Sequence, residues 1–113
     1  MTDEVTDAAV PADDTRVDEA LDALSEARQR LAEVPAAVVV ANHAMGLYEL
    51  AAIHLSASPP RLVDAALAID AVGCLVDGLG ARLGPEAVTL QEALSNIRLA
   101  FVQIKATVAA QDS

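Results

Sequence analysis

The sequence predicts an all-α fold, a four-helix antiparallel bundle-like domain that follows a disordered acidic tail. Three observations predict it: 54% of the 113 residues are hydrophobic, apolar residues recur at helical three-and-four spacing, and proline or glycine stands at the ends of the periodic stretches. Aromatic residues make up only 2% of the chain. The core must therefore be built from alanine, valine, leucine and isoleucine.

The first helix of a single domain at 14–110 is predicted over 15–34, after a polar, acidic tail at 1–13 that has no periodicity. Thr15 can cap this helix, and acidic residues occupy its first turn, where the helix dipole favours anions. Its apolar residues form one stripe, which we call the α1 stripe: Val17, Ala20, Leu21, Leu24, Ala27, Leu31 and Val34.

The second helix is predicted over 36–56, starting after Pro35, and it is apolar in nearly every direction. Its only polar stripe pairs Asn42 with Glu49, seven residues apart. This pair either specifies the register of a helical oligomer or marks a narrow solvent-facing edge. Because a helix that is apolar all round must be covered all round, we expect this helix at the centre of the bundle or of an interface.

The third and fourth helices are predicted over 60–80 and 86–107, each with a heptad-like apolar seam. Glycines and a proline separate them, so they should form an antiparallel hairpin. A second apolar strip lies on another side of the third helix, away from this seam. We expect the surplus apolar surface to complete the bundle by oligomerisation, most simply as a homodimer. The candidate interface residues are Val39, Leu47, Leu50, Ile53, Val63, Leu67 and Cys74.

The candidate polar site comprises two histidines on the second helix, with other polar groups near them or on the fourth helix. His43 and His54 are eleven residues apart, which separates them by about 16 Å along the axis, so they cannot share a metal within one helix. Arg98 either forms a polar contact patch or pairs with an acid on another helix. No catalytic, cofactor-binding or metal-ligating residue is predicted. The full candidate set is Asn42, His43, Glu49, His54 and Arg98.

Net charge is −10, of which residues 1–34 carry −7 and residues 35–113 carry −3. A phosphate backbone needs a basic footprint, so nucleic-acid binding is not expected, and binding to anionic lipid is not expected either. Residues 35–57 would nearly span a bilayer, but Glu49 and three other polar side chains fall inside that stretch. A buried core helix is therefore favoured over a membrane span, and the acidic N-terminus without a signal-peptide pattern predicts a cytoplasmic location.

Short segments between Asn42 and Lys105 resemble a group of small uncharacterised bacterial proteins, the DUF1844-like proteins of actinobacteria. The segments are Asn42-His43-Ala44-Met45, Ala68-Ile69-Asp70-Ala71, Leu75-Val76 and Leu94 to Val102. The resemblance implies a hydrophobic helix followed by a helical hairpin, in a bacterial cytoplasm. It implies no activity.

These features predict a non-enzymatic interaction or scaffold protein that associates with itself, and a further protein partner is compatible with this role. The alternative is a small-ligand-binding protein or enzyme with a polar pocket around the second helix, at Asn42, His43, Glu49 and His54. A third alternative is a membrane-associated protein. The sequence shows no clustered nucleophile, base and anion hole, which favours the first hypothesis over the second.

Overall fold

The computed structural model describes the backbone of residues 2–112 and the side chains of residues 14–112, and this part of the chain is helical with no strand. The chain divides into two compact units, residues 1–35 and residues 36–113. The elements are α1 (Thr2–Glu33), α2 (Ala36–Leu55), α3 (Leu62–Leu79), a 3₁₀ segment (Gly80–Glu86) and α4 (Ala87–Asp112). The all-α prediction is confirmed.

Helix α1 accounts for the first unit, and it begins at Thr2 rather than at the predicted Thr15. The predicted tail at 1–13 is rich in alanine and acidic residues, which a helix accommodates, especially near its N-terminus. Side chains 1–13 lie outside the described residues. All described side chains of α1 are exposed. Its large apolar residues have exposed fractions between 39% and 58%: Val17, Leu21, Leu24, Leu31 and Val34.

The second unit holds three helices, α2, α3 and α4, each packed against the other two. Helix α1 ends before Pro35, whose ring removes a backbone donor. The single domain at 14–110 stays a prediction. Fourteen hydrophobic residues are buried among the described residues, and six of them are alanine. The buried core consists of Ala41, Ala44, Ala51, Leu55, Ala65, Ala68, Ile69, Val72, Val76, Leu83, Ala87, Leu90, Leu94 and Ile97.

Short connections make neighbouring helices of this unit antiparallel. Between α2 and α3, the Arg61 backbone N–H donates to the His54 carbonyl oxygen at 2.9 Å, and the Ser58–Pro59 peptide is cis. Between α3 and α4, the 3₁₀ segment buries Leu83 and bends at Gly84, whose φ of 78° is a conformation that L side chains avoid. The predicted hairpin of the third and fourth helices is confirmed.

Helix α4 continues to Asp112, beyond the predicted end at Thr107. The added segment includes Val108, Ala109 and Ala110, and alanine is the best helix former. Earlier in α4, the partly buried residues Phe101 and Ile104 pack against the core. The fourth helix is thus the longest of the three-helix unit.

Leu90→Ala tests this core. Leu90 is fully buried, so we expect the free energy of unfolding to fall by about 2–5 kcal/mol through lost burial and a residual cavity. Leu99→Ala on the same helix is the control, because Leu99 is 58% exposed and should change stability by less than about 0.5 kcal/mol. Chemical denaturation measures both. Equal losses from the two variants would contradict the assigned core.

Candidate interaction surfaces

Helix α2 has a buried inner face and an exposed outer face. Ala41, Ala44 and Ala51 are buried, whereas residues half a turn away are exposed. The expectation that α2 is covered on all sides is therefore wrong for the single chain: small alanines line its inner face, and larger residues remain outside. The outer face of α2 consists of Val39, Asn42, Gly46, Glu49, Leu50 and Ile53, of which Val39 is partly buried.

The second apolar strip of α3 lies where the sequence placed it, on the side opposite the core. Val63 is 85% exposed and Leu67 is 72% exposed, and the Cys74 thiol is free on the same face. Among the predicted interface residues, only Leu47 packs partly against the core. Most of the set is thus accessible for a partner, although accessibility alone identifies none.

The position of α4 determines which sides of α2 and α3 remain uncovered. On α3, Gly73 faces Arg98 and Leu94 of α4. On α2, Ala41 and Met45 face Leu83 and Leu90 across a small cavity. Because α4 covers these two sides, helical periodicity predicts a groove between the opposite edges of α2 and α3.

We call this region the outer groove. Residues of intermediate burial form its floor, and more exposed residues form its rims, as expected for a groove between two packed helices. Helical periodicity of 100° per residue places six residues there. They are His43, Leu47 and Leu50 of α2 with Leu67, Ala71 and Leu75 of α3.

The predicted polar residues of α2 do not form one site. His43 is exposed, and its Nδ1 donates to the Val39 carbonyl oxygen at 2.8 Å, which leaves Nε2 as the outward-facing nitrogen. Asn42 and Glu49 are exposed farther round the helix, and His54 is half-buried, about three turns beyond Asn42 and more than one turn beyond Glu49. No described group of three or more His, Cys, Asp or Glu side chains is arranged to hold a metal ion.

Asn42 lines two recesses: an open, mostly apolar depression of about 430 Å³ that it shares with His43, Gly46 and Leu47, and a more enclosed cavity between α2 and the 3₁₀ segment. This cavity has a volume of about 190 Å³, which is below the roughly 300–1,000 Å³ that is usual for small-molecule sites. Its walls are mostly apolar: Val38, Ala41, Met45, Leu83, Pro85 and Leu90, with Asn42 and Glu86 at the edge. This smaller cavity therefore gives the ligand-binding alternative little support, and the open depression brings together only Asn42 and His43 of the four predicted polar residues of α2. The sequence could not locate the enclosed cavity, because the path of the 3₁₀ segment forms one wall.

Arg98 forms an ion pair with Asp77, one of the two roles that the sequence left open. Its Nη2 donates to Asp77 Oδ2 at 3.3 Å, and both side chains are about half exposed or more. The guanidinium passes directly over Gly73, where a Cβ would lie 2.6 Å from Nη2. Gly73 thus gives the Arg98 guanidinium space to lie against α3 beside Asp77.

Helix α2 is the one helix in the described part of the chain with the length and composition to cross a membrane, and 17% of its most apolar window is buried. A core helix of a soluble protein passes the same test of length and composition. This feature therefore does not separate a membrane span from a helix with an exposed apolar face.

No family model, curated protein or solved structure matches this chain. The resemblance to the DUF1844-like proteins stays a prediction. The function proposed for this chain therefore rests on the surfaces of the molecule.

Gly73→Ala tests the crossing of Arg98 over α3. The new methyl group would displace the guanidinium and break the ion pair, a loss of about 0–1 kcal/mol for an exposed pair. Inside a helix, alanine is more stabilising than glycine by about 1 kcal/mol. We expect a net effect on the free energy of unfolding between zero and a gain of about 1 kcal/mol.

Arg98→Gln is the control for this variant. It should lower stability slightly in the wild-type background and leave Gly73→Ala unchanged, since the pair is already broken there. Urea denaturation of the wild type, the two single variants and the double variant completes the double-mutant cycle. A loss of more than about 1 kcal/mol in Gly73→Ala would show that the methyl group meets rigid structure instead of a mobile guanidinium.

Proposed function

We propose that this chain is a non-enzymatic helical interaction protein that associates with itself through apolar helix faces. The observation that carries the proposal is the balance between buried and exposed aliphatic side chains. Thirteen large hydrophobic residues are exposed among residues 14–112, whereas eight large ones are buried in the core. Association between molecules would cover aliphatic surface that the core of the single chain leaves exposed.

The size of that gain can be estimated from a single side chain. Burying one valine, leucine or isoleucine contributes about 1.5–3 kcal/mol. A few such residues on each partner therefore supply a driving force comparable with micromolar affinity, about 8 kcal/mol, even after the cost of association. Val63, Leu67 and Ile53 are among the most exposed of the thirteen and lie on α2 or α3.

The distribution of polar groups argues against catalysis as the main role. A catalytic site needs a nucleophile or base, a partner that orients it and a recess that excludes water. His43, Glu49 and His54 lie on separate parts of α2, and the cavity beside Asn42 is small and mostly apolar. These features support a surface that binds through shape and apolar contact.

Charge restricts the partners of such a surface. With a net charge of −10, the chain repels nucleic acid and anionic lipid, and its acidic groups limit non-specific association. A second copy of the chain is the partner that we propose first, and it would supply the fourth helix that a complete bundle needs. We place this role in a bacterial cytoplasm, following the family resemblance.

Light scattering coupled to size exclusion tests self-association. We expect a mass of at least twice the chain mass of 11.6 kDa, falling toward one chain on dilution. The double variant Leu50→Gln/Leu67→Gln should dissociate more readily, because it removes apolar area from the outer groove.

Leu99→Gln/Val102→Gln is the matched control, since it removes similar exposed residues from α4. It should keep the wild-type mass. A wild-type chain that stays monomeric at every accessible concentration, in the absence of detergent, would refute the proposal. Recovery of the protein only in the membrane fraction would favour the membrane-associated alternative.

A further inference from the structure

We propose that the outer face of α2 pairs antiparallel with the same face of α2 in a second copy, and that the two helices cross at Gly46. This inference rests on the self-association proposed above and names the helix, its orientation and its register. The outer face lies opposite the buried alanines of α2. Its centre is open, because Gly46 is exposed and an added Cβ would meet nothing within 4 Å beyond the local helix.

Gly46 has no role within the single chain that would offset its cost. Glycine destabilises a helix interior relative to alanine. Gly73 gives Arg98 room in return, and Gly80 and Gly84 adopt positive φ. Gly46 lies in the middle of α2 and does neither. A position without a side chain lets another backbone approach closely, and at Gly46 the only side open to such an approach is the outer one.

The missing side chain at Gly46 also opens the depression on the surface of α2. Its volume is about 430 Å³, its lining is mostly apolar, and Asn42, His43, Gly46 and Leu47 surround it. A space among four residues of one helix is the hole that receives one side chain of a facing helix. When an antiparallel helix crosses at Gly46, Leu50 of the second copy lies level with Asn42, at the edge of this hole.

The outer face is arranged symmetrically about Gly46. Val39 and Ile53 lie seven residues before and after it, and Asn42 and Leu50 lie four residues before and after it. In two antiparallel helices, residues at equal distances from the crossing lie at the same level. Val39 of each copy therefore meets Ile53 of the other, so both ends of the contact are apolar. Such a face is complementary to itself, as a two-fold interface requires.

The polar residues of this face select the antiparallel orientation. Asn42 and Glu49 lie on the same side of the outer face, four residues before Gly46 and three residues after it. In an antiparallel pair, the Asn42 amide can therefore donate to the Glu49 carboxylate of the second copy, and the two-fold axis repeats this contact. A parallel pair would instead bring the two Glu49 carboxylates together, which is strongly unfavourable.

Charge also favours this face over the other exposed apolar faces. Two copies with a net charge of −10 repel each other, so contact is most favourable where the fewest acids meet. Glu49 is the single acid of α2, whereas α3 carries three acids and residues 14–33 of α1 carry six. Glu86 borders Asn42 at the edge of the enclosed cavity. The Asn42 amide has two hydrogens and can donate to Glu86 as well as to the second copy.

A substitution at the crossing point tests the pairing. In Gly46→Glu the new side chain enters open space in the single chain, and a helix accepts glutamate better than glycine, so the fold should keep its thermal stability. At the crossing, two carboxylates would meet across the two-fold axis, and dimerisation should weaken by at least about tenfold. Analytical ultracentrifugation over a dilution series measures this change.

Gly78→Glu is the matched control. Gly78 is exposed, and a Cβ there would also meet nothing within 4 Å, but this glycine lies near the end of α3. The control should dimerise like the wild type. If Gly46→Glu dimerises as well as the wild type, or if both variants lose the dimer equally, the crossing at Gly46 is wrong.

Cross-linking tests the orientation. The background is Cys74→Ser, which removes the one native cysteine, and Val39→Cys or Ile53→Cys then places a single thiol at one end of the outer face. In the antiparallel pair these two thiols lie level, whereas two copies of either thiol are about 21 Å apart along the axis. A bis-maleimide shorter than that distance should link a mixture of the two variants and should link neither variant alone.

A mixture of Ile53→Cys with Leu99→Cys, whose thiol lies on α4, gives the background of chance linkage. Linkage of each α2 variant with itself would show a parallel pair and overturn the proposed orientation. A dimer in which the α2 mixture links no better than this background would show that another face carries the association, and only this inference would be wrong. If the wild-type chain is monomeric throughout, self-association itself is refuted.

Discussion

Close packing through alanine is the constraint on which the rest of this structure depends. Ala44, Ala51 and Ala65 have no exposed surface at all, and they lie where α2 and α3 pack within the three-helix unit. Small residues at a contact let helix axes approach closely, and a close approach leaves little volume between the helices. The core of the three-helix unit therefore combines six alanines with eight larger side chains, and further leucines, valines and isoleucines lie on its outer faces.

The surplus apolar surface is a consequence of this geometry as well as of composition. A core with larger residues at the same positions would spread the helices and cover more of its own aliphatic groups. Here the inner face of α2 is mostly alanine, and Leu50 and Ile53 lie outside. The position of Arg98 over Gly73 follows the same logic, because a residue without a side chain leaves room for Arg98 of α4 to pair with Asp77 of α3.

Much of the three-helix unit could be predicted from the sequence, because α2, α3 and the hairpin that follows are bounded by proline or glycine and carry clear periodicity. Whether α1 is buried or exposed could not be predicted. Its stripe has the same three-and-four pattern as a buried helix, and periodicity shows which face is apolar without showing what covers it. The cavity beside Asn42 and the Arg98–Asp77 pair depend on the course of the 3₁₀ segment and on a glycine opposite an arginine. Neither leaves a pattern along the chain, although the pairing of Arg98 with an acid was one of two alternatives.

An acidic chain with an exposed apolar surface faces two opposing requirements. Its carboxylates must keep unrelated apolar surfaces away, yet its own association must still be favourable. Charge is distributed unevenly between the helices, because α2 and α3 hold four acids and no lysine or arginine, while residues 14–34 hold three arginines among six acids. Surfaces of like charge repel over distances of about a Debye length, roughly 8 Å at physiological salt, so self-association must leave these acids apart or in solvent. The proposed association would then draw its binding energy from aliphatic contact and its selectivity from the positions of the acids.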